Sequence, residues 1–180
     1  MSILLIIGLI IAIIIIVLLM AFLIGVSRSK ESKINKPEGA VTGKALIVYD
    51  AGFTGGTKTA ASYFAEDLKS KGYEVKLAGV RSDDALNTAG YDVLIIGSPT
   101  YRGKPTKPIE SYLKGLKPAE NTAIGIYSLS GGNLQDSNVF MAQMLKDKSI
   151  PVKIAIKYEF TLFVAGDKSK YSGFVSELLK

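Results

Sequence analysis

Residues 50–57, DAGFTGGT, hold the densest set of groups able to bind a ligand. Gly52, Gly55 and Gly56 let the backbone approach an anion closely or turn through positive φ, and Thr54 and Thr57 add hydroxyl donors. An apolar run, Ala45–Tyr49, precedes this turn and a helical period follows it at once. Strand, tight turn and helix start together aim backbone N–H groups and the positive end of a helix dipole at one point, which suits a phosphate. Two further stretches rich in Gly, Ser and Thr follow later apolar runs: Ser98–Lys104 and Ser128–Asn133. The chain has no Cys and no His. That excludes thiol nucleophiles, disulfides, thiolate iron–sulfur centres and His-ligated haem or zinc, and it removes the commonest general base near neutral pH. Redox chemistry in such a chain would have to come from an organic cofactor.

The elements that position these loops read as a strict alternation. After the first strand, Ala60, Ala61, Phe64 and Leu68 form one helical face closed by Gly72. Tyr73–Val80 alternates apolar and charged residues and suits a sheet edge, and Ser82–Ala89 suits a short helix. Asp92–Gly97 is almost wholly apolar, as a central strand covered on both faces must be. Ile109, Tyr112, Leu113 and Leu116 mark a helix with Pro108 in its first turn and Pro118 beyond its end. A strand over Thr122–Leu129, a helix around Phe140–Leu145, a β-like stretch over Val152–Val164 and a final helix over Tyr171–Leu179 complete the order. Five βα units predict an α/β fold with a doubly wound parallel sheet and helices on both faces. Ligands of such sheets bind beyond the carboxyl ends of the strands, where the three loops fall.

Upstream, Ile3–Val26 is apolar without a charge or proline. It is long enough to cross a hydrocarbon core of about 30 Å as a helix. A cleavable signal peptide is the rival reading; the absent basic n-region, the apolar length and the lack of an A-x-A-like site disfavour it. Residues 1–26 are therefore expected to be a transmembrane anchor. Residues 27–43, with Pro37, Gly39 and Gly43 and no apolar period, are expected to be a flexible basic tether, and residues 44–180 the folded domain. The formal net charge is +6 over 180 residues. Residues 27–44 carry half of it, and the rest is spread without a run, which argues against nucleic acid as a partner. All flanking basic residues lie after the apolar segment, which places the domain on the cytoplasmic side of a cell membrane.

Two motifs resemble those of a known family. Gly52–Thr57 resembles the flavodoxin phosphate motif [ST]-x-T-G-x-T, with Gly52 in place of the first hydroxyl residue. Gly97–Gly103, GSPTYRG, is similar to the flavin-edge loop of flavodoxin-like proteins. The resemblance runs from about Lys44 to the C-terminus and implies a five-stranded sheet of order 2-1-3-4-5 binding FMN non-covalently. By position it implies that Gly52, Phe53, Thr54, Gly55, Gly56 and Thr57 hold the FMN phosphate and that Tyr101 lies against the ring. It further implies that Ser98, Pro99, Thr100, Arg102 and Gly103 shape the loop at the reactive edge, and that Ser128, Leu129, Ser130 and Gly131 meet the far side. The stretch Ser128–Asn133 has no aromatic, so the second ring face is either bare or covered by Leu129. The Arg102 cation would raise the flavin potential by favouring the anionic reduced form. From the residues alone, an ordinary surface tyrosine fits position 101 equally well.

Function then divides. An electron carrier between redox proteins at the membrane fits the absence of any nicotinamide-binding pattern or long substrate loop. A flavin reductase or oxidase acting on a quinone or porphyrin, or a flavin-free anchored binding module, are the alternatives. More remote is a nucleotide hydrolase. GFTGGTKT, Gly52–Thr59, approaches G-x-x-x-x-G-K-[ST] but carries Thr57 where the loop needs its second glycine. No strand from the third onward ends in an Asp able to hold Mg²⁺. A phosphorylatable receiver lacks its acceptor, since Ser98 stands there.

Overall fold

The computed structural model describes residues 3–132, 137–159 and 168–180, with Lys170 described by its backbone only. A long helix, α1 (Ile3–Arg28), leads into β1 (Ser32–Asn35) and then β2 (Gly43–Tyr49), α2 (Gly56–Ser70) and β3 (Tyr73–Gly79). The chain continues through β4 (Val93–Pro99), α3 (Lys107–Gly115), β5 (Ala123–Ser130), α4 (Ser137–Lys146), β6 (Ile154–Glu159) and α5 (Phe174–Leu178). The sheet has the order β1-β3-β2-β4-β5-β6. All pairs from β3 to β6 are parallel and reproduce the expected 2-1-3-4-5 winding, while β1 pairs antiparallel with β3.

Strand parity builds two cores. Ala45, Ile47 and Tyr49 of β2, Val93 and Ile95 of β4, and Tyr127 of β5 face α2 and α5, where Phe64, Leu68 and Phe174 meet them. Leu46, Val48, Leu94, Ile96, Ile124 and Ile126 point the other way, onto Ile109 and Leu113 of α3 and Met141 and Leu145 of α4. Both faces of β2, β4 and β5 are thus buried, which is why these strands read as unbroken apolar runs.

Several expectations need correction. The sheet has six strands rather than five, and β3 is not its edge. The segment expected to be a free tether supplies β1, whose residues Ser32–Asn35 stand opposite Ala78–Val75. A strand with an open edge presents unpaired N–H and C=O groups, and β1 covers those of β3. The short helix expected over Ser82–Ala89 is a 3₁₀ turn, Asp83–Leu86. The last helix is a single short one, Phe174–Leu178, preceded by a 3₁₀ turn at Lys168–Tyr171. The stretch expected to be β-like over Val152–Val164 contains β6, and its residues 160–164 lie outside the described residues.

Helix α1 spans 26 residues and is long and apolar enough to cross a membrane. Only Gly25 is buried within it.

Candidate functional site

The loop after β2 enters α2 through Gly55, the N-cap residue, at φ 75°. In that left-handed conformation a side chain would be strained, and glycine is free to adopt it. No side chain caps α2, and its first turn carries no acidic residue. First-turn N–H groups have no intrahelical partners, so apart from the Gly56 N–H this end of α2 is open to an anion. Thr54 Oγ1 accepts the Gly56 N–H at 3.4 Å, and Thr57 is buried beneath the turn.

A cation stands over this turn. Arg28, in the last turn of α1, brings Nη1 to within 2.6 Å of where a Cβ on Gly55 would lie. Among the described residues no carboxylate pairs with it. The approach depends on two other close contacts. A Cβ on Gly25 would meet the Gly52 carbonyl oxygen at 2.7 Å, and one on Gly79 would meet the Ser29 carbonyl oxygen at 2.2 Å. Glycine at both places lets the end of α1 lie directly on the loop and on the end of β3.

Ser29 and Asp50 lock the junction. Ser29 Oγ donates to Asp50 Oδ1 at 2.8 Å and accepts the Ala51 N–H at 3.1 Å, and its carbonyl accepts the Arg81 N–H at 2.8 Å. Asp50 Oδ1 also accepts the Gly52 N–H at 3.3 Å, and Oδ2 accepts the hydroxyl of Thr106, the N-cap residue of α3, at 2.7 Å. One carboxylate therefore holds the end of α1, the turn before α2 and the start of α3. Three donors engage it, so it serves as a bracket between these elements.

In the loop after β4, Tyr101 and Lys104 exchange both backbone hydrogen bonds around Arg102 and Gly103. Both central residues have positive φ, 52° and 77°, as a two-residue type I′ turn requires. The turn throws Tyr101 toward the loop after β2. Its ring meets Phe53 edge-on, with centroids 5.8 Å apart, and its hydroxyl accepts the Phe53 N–H at 3.2 Å. Burial pushes the Tyr101 hydroxyl pKa up, the Phe53 hydrogen bond pulls it down, and Asp50 adds to the rise. Tyr49, at the end of β2, is pushed to about 12 by burial, with a smaller push from Glu31. Phe22 of α1 packs on Phe53 in turn, at 6.3 Å. Between them lies a mainly apolar cleft of about 190 Å³, bounded by Phe22, Val26, Phe53, Tyr101, Thr106 and Pro108 among others.

Several side chains expected near the reactive edge turn elsewhere. Ser98 Oγ donates to its neighbour Pro99 C=O and accepts the Thr106 N–H, bracing the loop from inside. Thr100 ties the loop to its neighbours: its N–H donates to Leu129 C=O at 2.7 Å and its hydroxyl meets that of Ser137 at 2.6 Å. Ser128 is buried and faces Asn138, and Ser130 Oγ donates to Gly132 C=O. Strand parity sends Leu129 with Tyr127 into the core shared with α2 and α5. Gly131 is exposed beside residues 133–136, which are outside the described set. Sequence reasoning missed Arg28, Ser29, Asp50 and Thr106. The signal for Asp50 was its place directly after a buried strand; for the other three, no local pattern existed. Among the described residues no carboxylate cluster suits a metal ion.

No protein-family model matches the sequence, and no curated protein matches it. Solved structures do. Oxidised flavodoxin 2 from Bacillus cereus superposes with a TM-score of 0.62 at 23% identity, covering 76% of this chain and 97% of that one. The Streptococcus pneumoniae flavodoxin gives 0.61 at 17% identity, over 76% and 97%. The flavodiiron core from Synechocystis gives 0.57 at 19%, over 80% of this chain and 38% of that one. The chain thus spans well under half the length of the flavodiiron core and nearly all of the flavodoxins. At these identities the likeness shows the fold, which is flavodoxin-like.

Proposed function

We propose that the chain is a membrane-anchored FMN protein that carries electrons between redox partners at the membrane. The observation that carries this reading is the uncapped N-terminus of α2 with the Arg28 guanidinium above it. First-turn N–H groups, the Thr54 and Thr57 positions and a fixed cation together match a phosphate dianion. Gly52 leaves this cradle one hydroxyl short, and Arg28 compensates with charge. A Cβ on Gly55 would fill the space between loop and guanidinium. The residues present therefore fit FMN at its phosphate end.

Tyr101, at the rim of the site, supplies the flat aromatic surface on which a planar ring gains most. Gly131, directly after β5, stands at the same carboxyl edge of the sheet. Bound FMN supplies reversible uptake of one or two electrons. The protein's part is to hold the phosphate, fix the ring's orientation and set the charge around it, to which Arg102 contributes a cation. Anchoring by α1, with Arg28, Lys30 and Lys33 on its C-terminal side, puts the domain on the cytoplasmic face and raises its concentration near partners in the same bilayer.

The apolar cleft beside Tyr101 favours a second reading, a reductase acting on a quinone dissolved in the membrane. Absorption spectra of the purified full-length protein in detergent, before and after adding FMN, test the first reading. Retained yellow flavin that resists gel filtration supports it. Binding of ATP–Mg²⁺ with no flavin uptake overturns it. Rapid NAD(P)H or quinol oxidation by the protein alone would favour the reductase over the carrier.

A further inference from the structure

The exposed apolar side chains of the folded part are not scattered. Outside α1, the large ones among the described residues are Ile34, Val41, Phe53, Leu86, Tyr101, Val139 and Phe140. The last five share one placement. Phe53 follows β2, Leu86 lies in the 3₁₀ turn after β3, Tyr101 follows β4, and Val139 and Phe140 sit in the first turn of α4 after β5. Strands β2 to β5 are parallel, so all five stand at the carboxyl edge of the sheet. Leu86 is 74% exposed and Val139 61%.

Helix α1 leaves the domain from this same edge. Gly25 rests on Gly52, Ser29 is wholly buried and bonded to Asp50 and Arg81, and Phe22 packs on Phe53. From Leu23 back to Ile3, only Ala21 is less than exposed. The helix therefore projects outward from a fixed root. Basic side chains surround that root. Arg81 follows β3, Arg102 and Lys104 stand in the loop after β4, and Lys104 also lies 6.0 Å from the Phe140 ring centre. Of the carboxylates along this edge, Asp50 is engaged by three donors and Asp84 pairs with Lys76. Asp83 and Glu159 are exposed.

Resting on the anchored reading above, we infer that the carboxyl edge of the sheet lies on the bilayer surface. Phe53, Leu86, Val139 and Phe140 enter the headgroup region, and Arg81, Arg102 and Lys104 meet anionic lipid. Continuity with α1 argues for lipid as the occupant. A rigid root at this edge brings the edge to the membrane whenever the helix spans it. Aromatic rings and basic side chains are the residues that partition to such an interface. The ligand site then opens on the membrane surface, and its redox partners are reached in the membrane plane.

The chain has no cysteine, so single reporters can be placed without background. Leu86→Cys, Val139→Cys and, on the opposite edge, Glu120→Cys each carry an environment-sensitive fluorophore in the full-length protein. The protein is reconstituted into phosphatidylcholine–phosphatidylglycerol vesicles with brominated acyl chains. The inference expects blue-shifted emission and about threefold or stronger lipid quenching at 86 and 139 relative to 120. Quenching equal at all three sites, in protein that survives alkaline washing of the vesicles, overturns the inference and leaves the anchor standing. Protection of 86 and 139 from an aqueous quencher without lipid quenching points to a second copy as the occupant, and also overturns it. Release of the protein by alkaline washing defeats the anchored reading itself.

Discussion

A single hydroxyl at the end of α1 makes contacts out of proportion to its size. Ser29 Oγ accepts the Ala51 N–H, and its one hydrogen lies between two acceptors, Asp50 Oδ1 and the Gly25 carbonyl, with all partners buried. Ser29→Ala leaves a buried carboxylate short of a donor and a backbone N–H without an acceptor. The expected cost is about 1–3 kcal/mol of stability, read from denaturant unfolding in detergent. Arg28 acts one step further out. It makes no ion pair among the described residues, so Arg28→Met should leave stability nearly unchanged. FMN affinity should fall about tenfold, the loss of roughly 1.4 kcal/mol of charge-assisted contact. The remaining affinity should depend less on salt than in the parent protein, because the screened charge is gone. Isothermal titration at two ionic strengths checks both. An unchanged affinity would detach Arg28 from the site.

At the level of elements, Lys148 shows how a side chain between elements completes a helix. Its ammonium donates to the carbonyls of Leu113, Lys114 and Leu116, at 3.0, 2.9 and 2.7 Å, at the C-terminal end of α3. Leu113 C=O also accepts the Leu116 N–H at 3.4 Å, but carbonyls of a last helical turn lack the usual i+4 donors, and a cation there also opposes the helix dipole. Lys148→Met keeps the stem and removes the donors, so a loss of about 1–2 kcal/mol is expected, with faster amide exchange in the last turn of α3. The α3 stripe itself was legible, because Ile109, Tyr112, Leu113 and Leu116 repeat at the helical period. Likewise β2 and β4 were legible because burial on both faces forces apolar runs. Strand β1 was not. Ser32–Asn35, SKIN, is exposed on nearly every residue, so nothing in its pattern records a partner. What specifies it is the open edge of β3, a fact about another part of the chain. The turn before α2 was legible as a turn by its glycines and threonines. The Arg28–Ser29–Asp50 cluster was not, since Ser29 and Asp50 lie 21 positions apart and meet only through tertiary packing.

For the whole molecule, the folded part takes in residues well before Lys44, because β1 and Ser29 pack on it. Composition shifts at Gly39–Lys44, and a soluble domain cut there would keep every element from β2 onward. It would lose β1 and Ser29, however. The outer edge of β3 would then be bare, with unpaired backbone groups open to pairing with a second chain. The Asp50 carboxylate would lose its buried donor, and the Arg81 and Gly79 N–H groups would lose the carbonyls of Ser29 and Glu31 that they bond at 2.8 Å. Cutting at Ser27 keeps all of these. The expected outcome is that protein beginning at Ser27 is monomeric. Protein beginning at Gly39 should be less stable by on the order of 2–4 kcal/mol and should self-associate through its open edge. Paired urea titrations and size-exclusion chromatography of the two truncations check this. Equal stability and equal size would mean that β1 and Ser29 merely rest on a domain that is complete without them. The fixed root of α1 would then be no stronger than the flexible tether expected from composition.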